Sequence, residues 1–448
     1  MMTAVSSVAR PTVDRATRNK IVLASSVGTT IEMYDFFIYG TAAALVFSGQ
    51  FFPQVSPVIG TLLAFATFGV GFVARPLGGV VIGHYGDRIG RKKTLVFTLI
   101  MMGLATFCIG LLPTYDSVGL AAPALLVTLR LIQGFCAGGE WGGAVLIATE
   151  NAPENRRGLY GSWTMMGSPA GLVLATGAFA LVTALPTEQF ESWGWRLPFL
   201  ASGVLLALGL FLRVSLTETP EFLEMSKSRT RERSPLMKVL RSNPRSVLLG
   251  AGVNLGFNTF IYLVFTFSLA YSIEELGLAK SVIMTGTIVG ALLQIGAIPA
   301  FAVLSDRVGR HVVLLGGAAF TIIWTAVFFA VLNTAQPAMI IIATVLAFVG
   351  SAAMIGPMGA GLTELFGTSV RYTGASLGYQ LGAVLGGGLA PFIAASLFAG
   401  TGTTWTIVAY GASAGAISAL SVGLLWRDTR RAAAGDEPAP ALAPARVE

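Results

Sequence analysis

Five ionisable residues stand inside long apolar runs of this 448-residue chain: Glu32, Asp35, Arg75, Arg130 and Glu140. A charge in hydrocarbon costs about 3 kcal/mol or more, so such residues mark proton relays, substrate contacts or paired bridges. Glu32 and Asp35 are three apart and share one helix face. Two acids so close in a dry site resist double ionisation, whereas a neighbouring arginine favours the charged form. A carboxyl between these influences can take up and release a proton as its partner moves. That points to proton coupling at Asp35 or Glu32, with a static ion pair as the alternative.

Depth along the chain limits which arginine can meet which acid. Glu32 and Asp35 lie roughly 18–22 Å past Lys20 at about 1.5 Å per residue. Arg130 opens a run that travels the other way and reaches a similar level. Glu140 is roughly 15 Å further along, near the depth of Arg75. The expected pairings are therefore Asp35 or Glu32 with Arg130, and Glu140 with Arg75. Arg130 and Gln133, candidate cargo contacts, share a stripe with Ala137, Trp141 and Ala144. Asn254 and Asn258 occupy the matching region of the second half, about 222 residues on. One half thus looks equipped for ions and the other for neutral hydrogen bonding. Tyr34 and Tyr262, with Tyr39, Trp163 and Tyr379, are aromatic candidates for a cavity wall. Gly134, Gly138 and Gly142 recur every fourth residue, as do Gly374, Gly378, Gly382 and Gly386. That spacing suits close helix packing.

The elements that hold these residues follow from composition. Hydrophobic residues make up 54% of the chain and charged residues 11%, well below the quarter usual in soluble domains. Apolar runs long enough to cross about 30 Å of hydrocarbon give twelve expected spans. They are 21–48, 56–83, 94–112, 121–149, 158–184, 195–214, 246–272, 281–304, 312–332, 338–363, 372–399 and 403–426. Of 29 Lys and Arg, Lys280 alone falls in an outer loop and Arg196 at the edge of one. Arg75 and Arg130 lie within spans, and the rest lie in the tails or the alternate loops. This asymmetry places both termini in the cytoplasm and explains the net charge of +7 without a nucleic-acid partner. Residues 1–20 are polar and basic, with no separate apolar core of a signal peptide.

An internal repeat divides the chain. Gly83-His84-Tyr85-Gly86-Asp87-Arg88-Ile89-Gly90-Arg91 is echoed by Ala302-Val303-Leu304-Ser305-Asp306-Arg307-Val308-Gly309-Arg310, with the aspartates 219 residues apart. Glu150 with Arg157 recurs as Glu364 with Arg371, both offset by 214. The expected fold is an all-α membrane protein of about twelve helices in two six-helix halves. Its divisions are a tail (1–20), a first bundle (21–215), a linker (216–245), a second bundle (246–431) and a disordered tail (432–448). Parallel halves rocking about a midplane site can expose that site to each side in turn.

With these motifs in place, residues 20 to 431 resemble the major facilitator superfamily. The Gly83–Lys93 loop resembles its signature between helices two and three. The resemblance implies that Asp87, Arg88 and their neighbours, with the repeat copy, form a cytoplasmic latch that does not touch cargo. Within the superfamily the chain resembles the metabolite:proton symporters, which include shikimate, α-ketoglutarate, citrate and proline/betaine permeases. The residues concerned are Glu32-Met33-Tyr34-Asp35-Phe36, Arg75-Pro76-Leu77-Gly78-Gly79, Arg130-Leu131-Ile132-Gln133-Gly134, Gly138-Gly139-Glu140, Trp195-Arg196-Leu197-Pro198-Phe199 and Glu218-Thr219-Pro220-Glu221-Phe222. Met33 stands where a tryptophan is expected, which bears on cavity shape. The short tail lacks the coiled coil of the osmosensing betaine permeases. The resemblance implies inward transport of a small metabolite with one or more protons, driven by the proton gradient; an organic acid is the expected cargo, and a monomer in the lipid bilayer the expected working unit.

Other classes fit poorly. There is no nucleophile–base set, phosphate-binding glycine loop or metal cluster, so neither an enzyme nor a cofactor is expected. Cys108 and Cys136 lie in apolar runs and read as buried thiols. A channel would need no titrating pair. A cation-drug exporter would favour acids unmatched by arginines.

Overall fold

The computed structural model describes residues 15–89, 91–138, 140, 142, 145, 148, 149, 152, 156–214, 239, 241–366 and 371–434. The long apolar runs form helices, because in lipid every backbone N–H and C=O must be satisfied within the segment. The first half contains α1 (Arg15–Leu45), α2 (Pro57–Ile89), α3 (Arg91–Leu111), α4 (Ala121–Ala137), α5 (Arg157–Val182) and α6 (Leu197–Val214). The second contains α7 (Pro244–Tyr262), α8 (Lys280–Val308), α9 (Arg310–Leu332), α10 (Pro337–Glu364), α11 (Arg371–Ala383) and α12 (Trp405–Ala434). α7 continues through a π turn, Leu263–Phe267, into Ser268–Glu274; α11 continues through Val384–Gly388 into Ala390–Thr401. Among the described residues, nine helices are long and apolar enough to cross a membrane, and Val96–Leu111 and Ala121–Ala137 are shorter apolar helices. With α1 they make up the twelve-helix membrane fold.

Some boundaries differ from expectation. α1 starts at Arg15, inside the expected tail, and α12 runs past the expected 426 to Ala434. Polar residues at both ends extend the helices, because no glycine or proline stops them there. The linker residues 216–238 and the tail from 435 lie outside the described residues, so those divisions remain expectations.

The same pairings recur in both halves. α1 packs on α5, α2 on α4 and α3 on α6; correspondingly, α7 packs on α11, α8 on α10 and α9 on α12. Between the halves, α5 meets α8 and α10, and α2 meets α11. The halves touch at both ends. On the outer side Thr61 Oγ1 donates to Glu274 Oε1 (3.0 Å), and Lys280 Nζ lies 4.5 Å over the Phe190 ring. On the inner side Gln380 Nε2 donates to the Gly138 carbonyl (3.3 Å). Asp306 accepts from the backbone N–H of Gly158 (3.1 Å) and Leu159 (3.3 Å), at the start of α5. Arg310 donates to both Glu364 oxygens (2.6 and 2.7 Å) and lies 3.4 Å from Asp306.

Asp306 therefore places an acid on the positive end of a helix across the interface, an interaction of up to about 2 kcal/mol when partly buried. Asp306→Asn is expected to shift the closed–open balance on the cytoplasmic side by roughly 5- to 30-fold. Initial-rate transport should show a several-fold lower maximal rate with an unchanged half-saturating cargo concentration. A change confined to half-saturation would place Asp306 in cargo binding instead.

Candidate functional site

The first-half charges gather where α1, α2 and α4 meet. Close approach of α2 and α4 depends on glycine. A Cβ on Gly134 would stand 1.8 Å from the Gly71 carbonyl oxygen, and one on Gly138 would stand 2.0 Å from the Arg75 carbonyl. The glycine stripe of α4 therefore lies against the backbone of α2. The stripe on α11 does the same against α7: a Cβ on Gly382 would stand 2.5 Å from the Ala251 carbonyl, and one on Gly386 2.4 Å from that of Leu255.

That packing decides the ion pairing, and it differs from expectation. Arg75 does not pair with Glu140. Gly138 meets the Arg75 backbone, and the Arg75 side chain reaches α1, where Nη2 lies 3.8 Å from Glu32 Oε1. Glu140 accepts a hydrogen bond from Thr98 Oγ1 of α3 (3.0 Å). Nor does Arg130 form an ion pair with Asp35 or Glu32 among the described residues. It hydrogen-bonds Gln133 Oε1, and its guanidinium lies over the rings of Tyr39 (4.1 Å), Phe36 (4.3 Å) and Phe68 (5.1 Å). Arg75 lies over Phe36 (3.7 Å) and Phe72 (4.7 Å), so Phe36 serves both arginines. Aromatic faces stabilise a desolvated cation by about 2 kcal/mol or more, which offsets part of the missing carboxylate, and Arg130 Nε and Nη2 are left without a hydrogen-bond partner.

Asp35 is fully buried, and neither carboxyl oxygen has a hydrogen-bond partner. Thr106 stands beside it but donates its hydroxyl to the Met102 carbonyl (2.9 Å). Gln133 Nε2 donates to Thr106 Oγ1 (2.8 Å) and lies 3.5 Å from the Asp35 carbonyl. Arg130, Gln133, Thr106 and Asp35 thus form a connected polar group enclosed by protein.

Between the halves lies a narrow cavity. Its polar lining is Arg75, Ser168, Asn258, Tyr262, Gln294 and Tyr379, and Phe37, Phe72, Phe257 and Phe348 supply aromatic walls. Of the expected cargo contacts, Asn258 and Tyr262 line it. Arg130, Gln133, Tyr34 and Asn254 do not. Tyr34 donates to the Pro198 carbonyl (2.6 Å), which ties α1 to α6. Asn254 donates to the Tyr379 carbonyl (2.7 Å), which ties α7 to α11, and accepts from Asn258 Nδ2 (2.7 Å). Tyr39 donates to Thr67 Oγ1 (2.8 Å), and Trp163 is an exposed side chain. Arg75 belongs to the cavity, a role missed when depth alone was considered. Gln294 and Ser168 were also missed, although a lone amide in the apolar run of α8 was the available signal. Both π turns directly follow cavity-lining stretches, and such turns recur at functional sites.

Of the expected latch residues, Asp306, Arg310 and Glu364 meet at the inner end as described, and Arg307 is exposed. Gly309 ends α8 with φ +99, a conformation that favours glycine. Arg157 opens α5. Gly90 and Glu150, with the side-chain surroundings of Gly83, Asp87, Arg88, Arg91 and Arg371, lie outside the described residues. Both cysteines are free thiols, Cys136 buried and Cys108 partly so.

Comparison with known proteins agrees with this architecture. The sequence model of the Major Facilitator Superfamily matches residues 25–377. The shikimate transporter of Escherichia coli K12 is 43% identical over 418 residues, covering 92% of this chain and 95% of that protein. An inner membrane metabolite transport protein of the same organism, YhjE, is 43% identical over 85% of this chain and 88% of its own. The proline/betaine transporter of that organism is 33% identical, covering 86% and 79%. Among solved structures, the proton:xylose symporter XylE bound to 6-bromo-6-deoxy-D-glucose superposes with a TM-score of 0.72 at 16% identity, covering 93% of this chain and 96% of that one. A paired-bundle membrane fold, a cavity between the halves and a family match over most of the length lead to one assignment: the chain is a transporter, not an enzyme, and belongs to the major facilitator superfamily.

Proposed function

We propose that the protein imports a small organic acid together with protons across the inner membrane, by rocking its two halves about the cavity between α1, α2, α7 and α11. The observation that carries this reading is Asp35, buried and without a hydrogen-bond partner beside a cationic cluster. A permanent carboxylate left without partners there would cost several kcal/mol, whereas a carboxyl that gains and loses a proton suits a coupling site. Arg130 holds a positive field near it and keeps its own place through Gln133 and the aromatic rings. Glu32 is the second acid of the coupling group. Shikimate is the leading cargo, because the shikimate transporter is 43% identical over nearly the whole chain; di- and tricarboxylates are the wider class. One chain supplies both halves, so a monomer suffices. Asp306, Arg310 and Glu364, with their first-half counterparts, act as the cytoplasmic latch.

Uptake of labelled shikimate into proteoliposomes tests the reading. With an inward proton gradient, accumulation above the outside concentration is expected, and an uncoupler should abolish it. A second cargo reading, proline or betaine, is favoured by the 33% identity to the proline/betaine transporter; accumulation of those solutes alone would select it. Cargo leaving the vesicles against its gradient would reject import.

A further inference from the structure

We infer that Arg75 is the receptor for the cargo's carboxylate and that Glu32 holds its place when cargo is absent, so that within the organic-acid class the cavity selects hydroxyl-bearing acids with a single negative charge over di- and tricarboxylates. The inference deepens the organic-acid import reading and rests on it.

Among the described residues, Arg75 is the one charged residue lining the cavity. Its guanidinium is held against Phe36 and Phe72, the side chain is 3% exposed, and Nε has no hydrogen-bond partner. The contact to Glu32 is long for a charge-assisted bond, at 3.8 Å, where a well-formed N–H to carboxylate bond is about 2.7–2.9 Å. Donor capacity is therefore left over in a dry site. A cargo carboxylate entering the cavity can take two parallel N–H bonds from Arg75, the geometry arginine favours.

A second carboxylate on the cargo would find no cation. Arg130, the nearby alternative, is fully buried behind Phe36, Tyr39 and Phe68 and does not line the cavity. Ser168, Asn258, Gln294, Tyr262 and Tyr379 place hydroxyls and amides from α5, α7, α8 and α11 along the cavity, with the amide nitrogens of Asn258 and Gln294 held by Asn254 and Ser351, a neutral polar lining that suits the hydroxyls of a compact polyol acid. Among the described residues, no carboxylate lines the cavity to pair with an ammonium group.

Displacement also links cargo to protons. Glu32 lies 3.8 Å from Arg75 of α2 and within electrostatic range of Tyr262 of α7 and Tyr379 of α11, with Asp35 one turn along its own helix. Asp35 in turn lies beside Thr106 of α3 and within electrostatic range of Arg130 of α4 and of Glu140. Once cargo takes Arg75, Glu32 and Asp35 would be adjacent negative carboxylates in a dry site. A proton on Asp35 removes that repulsion, so cargo and proton favour each other's binding reciprocally. After cargo leaves, Glu32 returns to Arg75 and keeps its charge compensated while the empty carrier resets.

Binding is tested with the purified full-length protein, using calorimetry with shikimate, its neutral methyl ester and α-ketoglutarate. The wild type should bind shikimate at least about tenfold tighter than either other probe, as expected for a hydrogen bond between charged groups. Arg75→Gln should erase the preference for acid over ester, and Arg75→Lys should keep it with weaker binding. Glu32→Gln should tighten shikimate binding by about tenfold, as its competitor is removed, and should slow net uptake while sparing exchange. The inference is overturned by any of three results: an acid preference that survives in Arg75→Gln, a Glu32→Gln variant that loses shikimate as Arg75→Gln does, or α-ketoglutarate bound as tightly as shikimate. Accumulation by a wild type whose acid preference survives in Arg75→Gln rejects this inference and keeps import. The predicted binding pattern without any proton-driven accumulation rejects import and keeps Arg75 as the receptor.

Discussion

Asp35→Asn is expected to abolish proton-driven accumulation while leaving cargo exchange intact. Asparagine keeps the size of the side chain but cannot give up a proton, so it mimics the loaded carboxyl permanently. A carrier locked in that state can cross with cargo but cannot reset after discharging a proton. With one proton per cargo and a gradient of two pH units, the driving force is about 2.7 kcal/mol, a wild-type limit of about 100-fold accumulation. The variant should fall to a ratio near one. Counterflow of labelled against unlabelled shikimate should continue at a rate similar to that of the wild type. Both are read in the same proteoliposomes, so a protein that has merely failed to insert is recognised by the loss of both. Accumulation close to the wild-type limit would move the coupling proton from Asp35 to another group, with Glu32 the first candidate.

Gly134→Ala is expected to be as damaging, through packing alone. The added methyl would stand 1.8 Å from the Gly71 carbonyl oxygen and 2.6 Å from its carbon. Those are backbone atoms, so α4 and α2 must separate. Overpacking of this kind costs about 1–3 kcal/mol or more, and here separation also disturbs Arg130. A Cβ on Gly71 would stand 2.4 Å from Arg130 Nε, which shows how closely that guanidinium sits on the α2 backbone. The variant should unfold several degrees lower in detergent and lose transport. Gly296→Ala on α8 is the control, because nothing lies within 4 Å of its added methyl; it should be neutral or gain about 0.5 kcal/mol. Wild-type melting and transport in Gly134→Ala would show that α4 can shift freely.

The sequence alone was enough for the architecture. Apolar runs set the number of helices, the arginine and lysine asymmetry set their direction, and the repeated Asp87 and Asp306 loops divided the chain into halves. All three are one-dimensional signals, because the membrane imposes a length on each span and an order on its flanks. The glycine stripes of α4 and α11 were also legible as packing surfaces, since four-residue spacing is itself a helix face. The buried charges Glu32, Asp35, Arg75, Arg130 and Glu140 stood out by type alone.

Their partners did not. Position along a span gives depth, and depth alone paired Arg75 with Glu140 and Arg130 with Asp35 or Glu32. Whether two side chains at one depth meet depends on the rotation of each helix about its axis, and tertiary contact sets that rotation. Gly138 against the Arg75 backbone directs Arg75 to Glu32 and into the cavity. Gly71 and Gly134 admit Arg130 to its aromatic enclosure. The sequence therefore determined which residues are charged and at what level in the membrane. Only the packed bundle decided which of them face each other and which line the cavity between the halves, because helix azimuth is fixed by neighbouring helices.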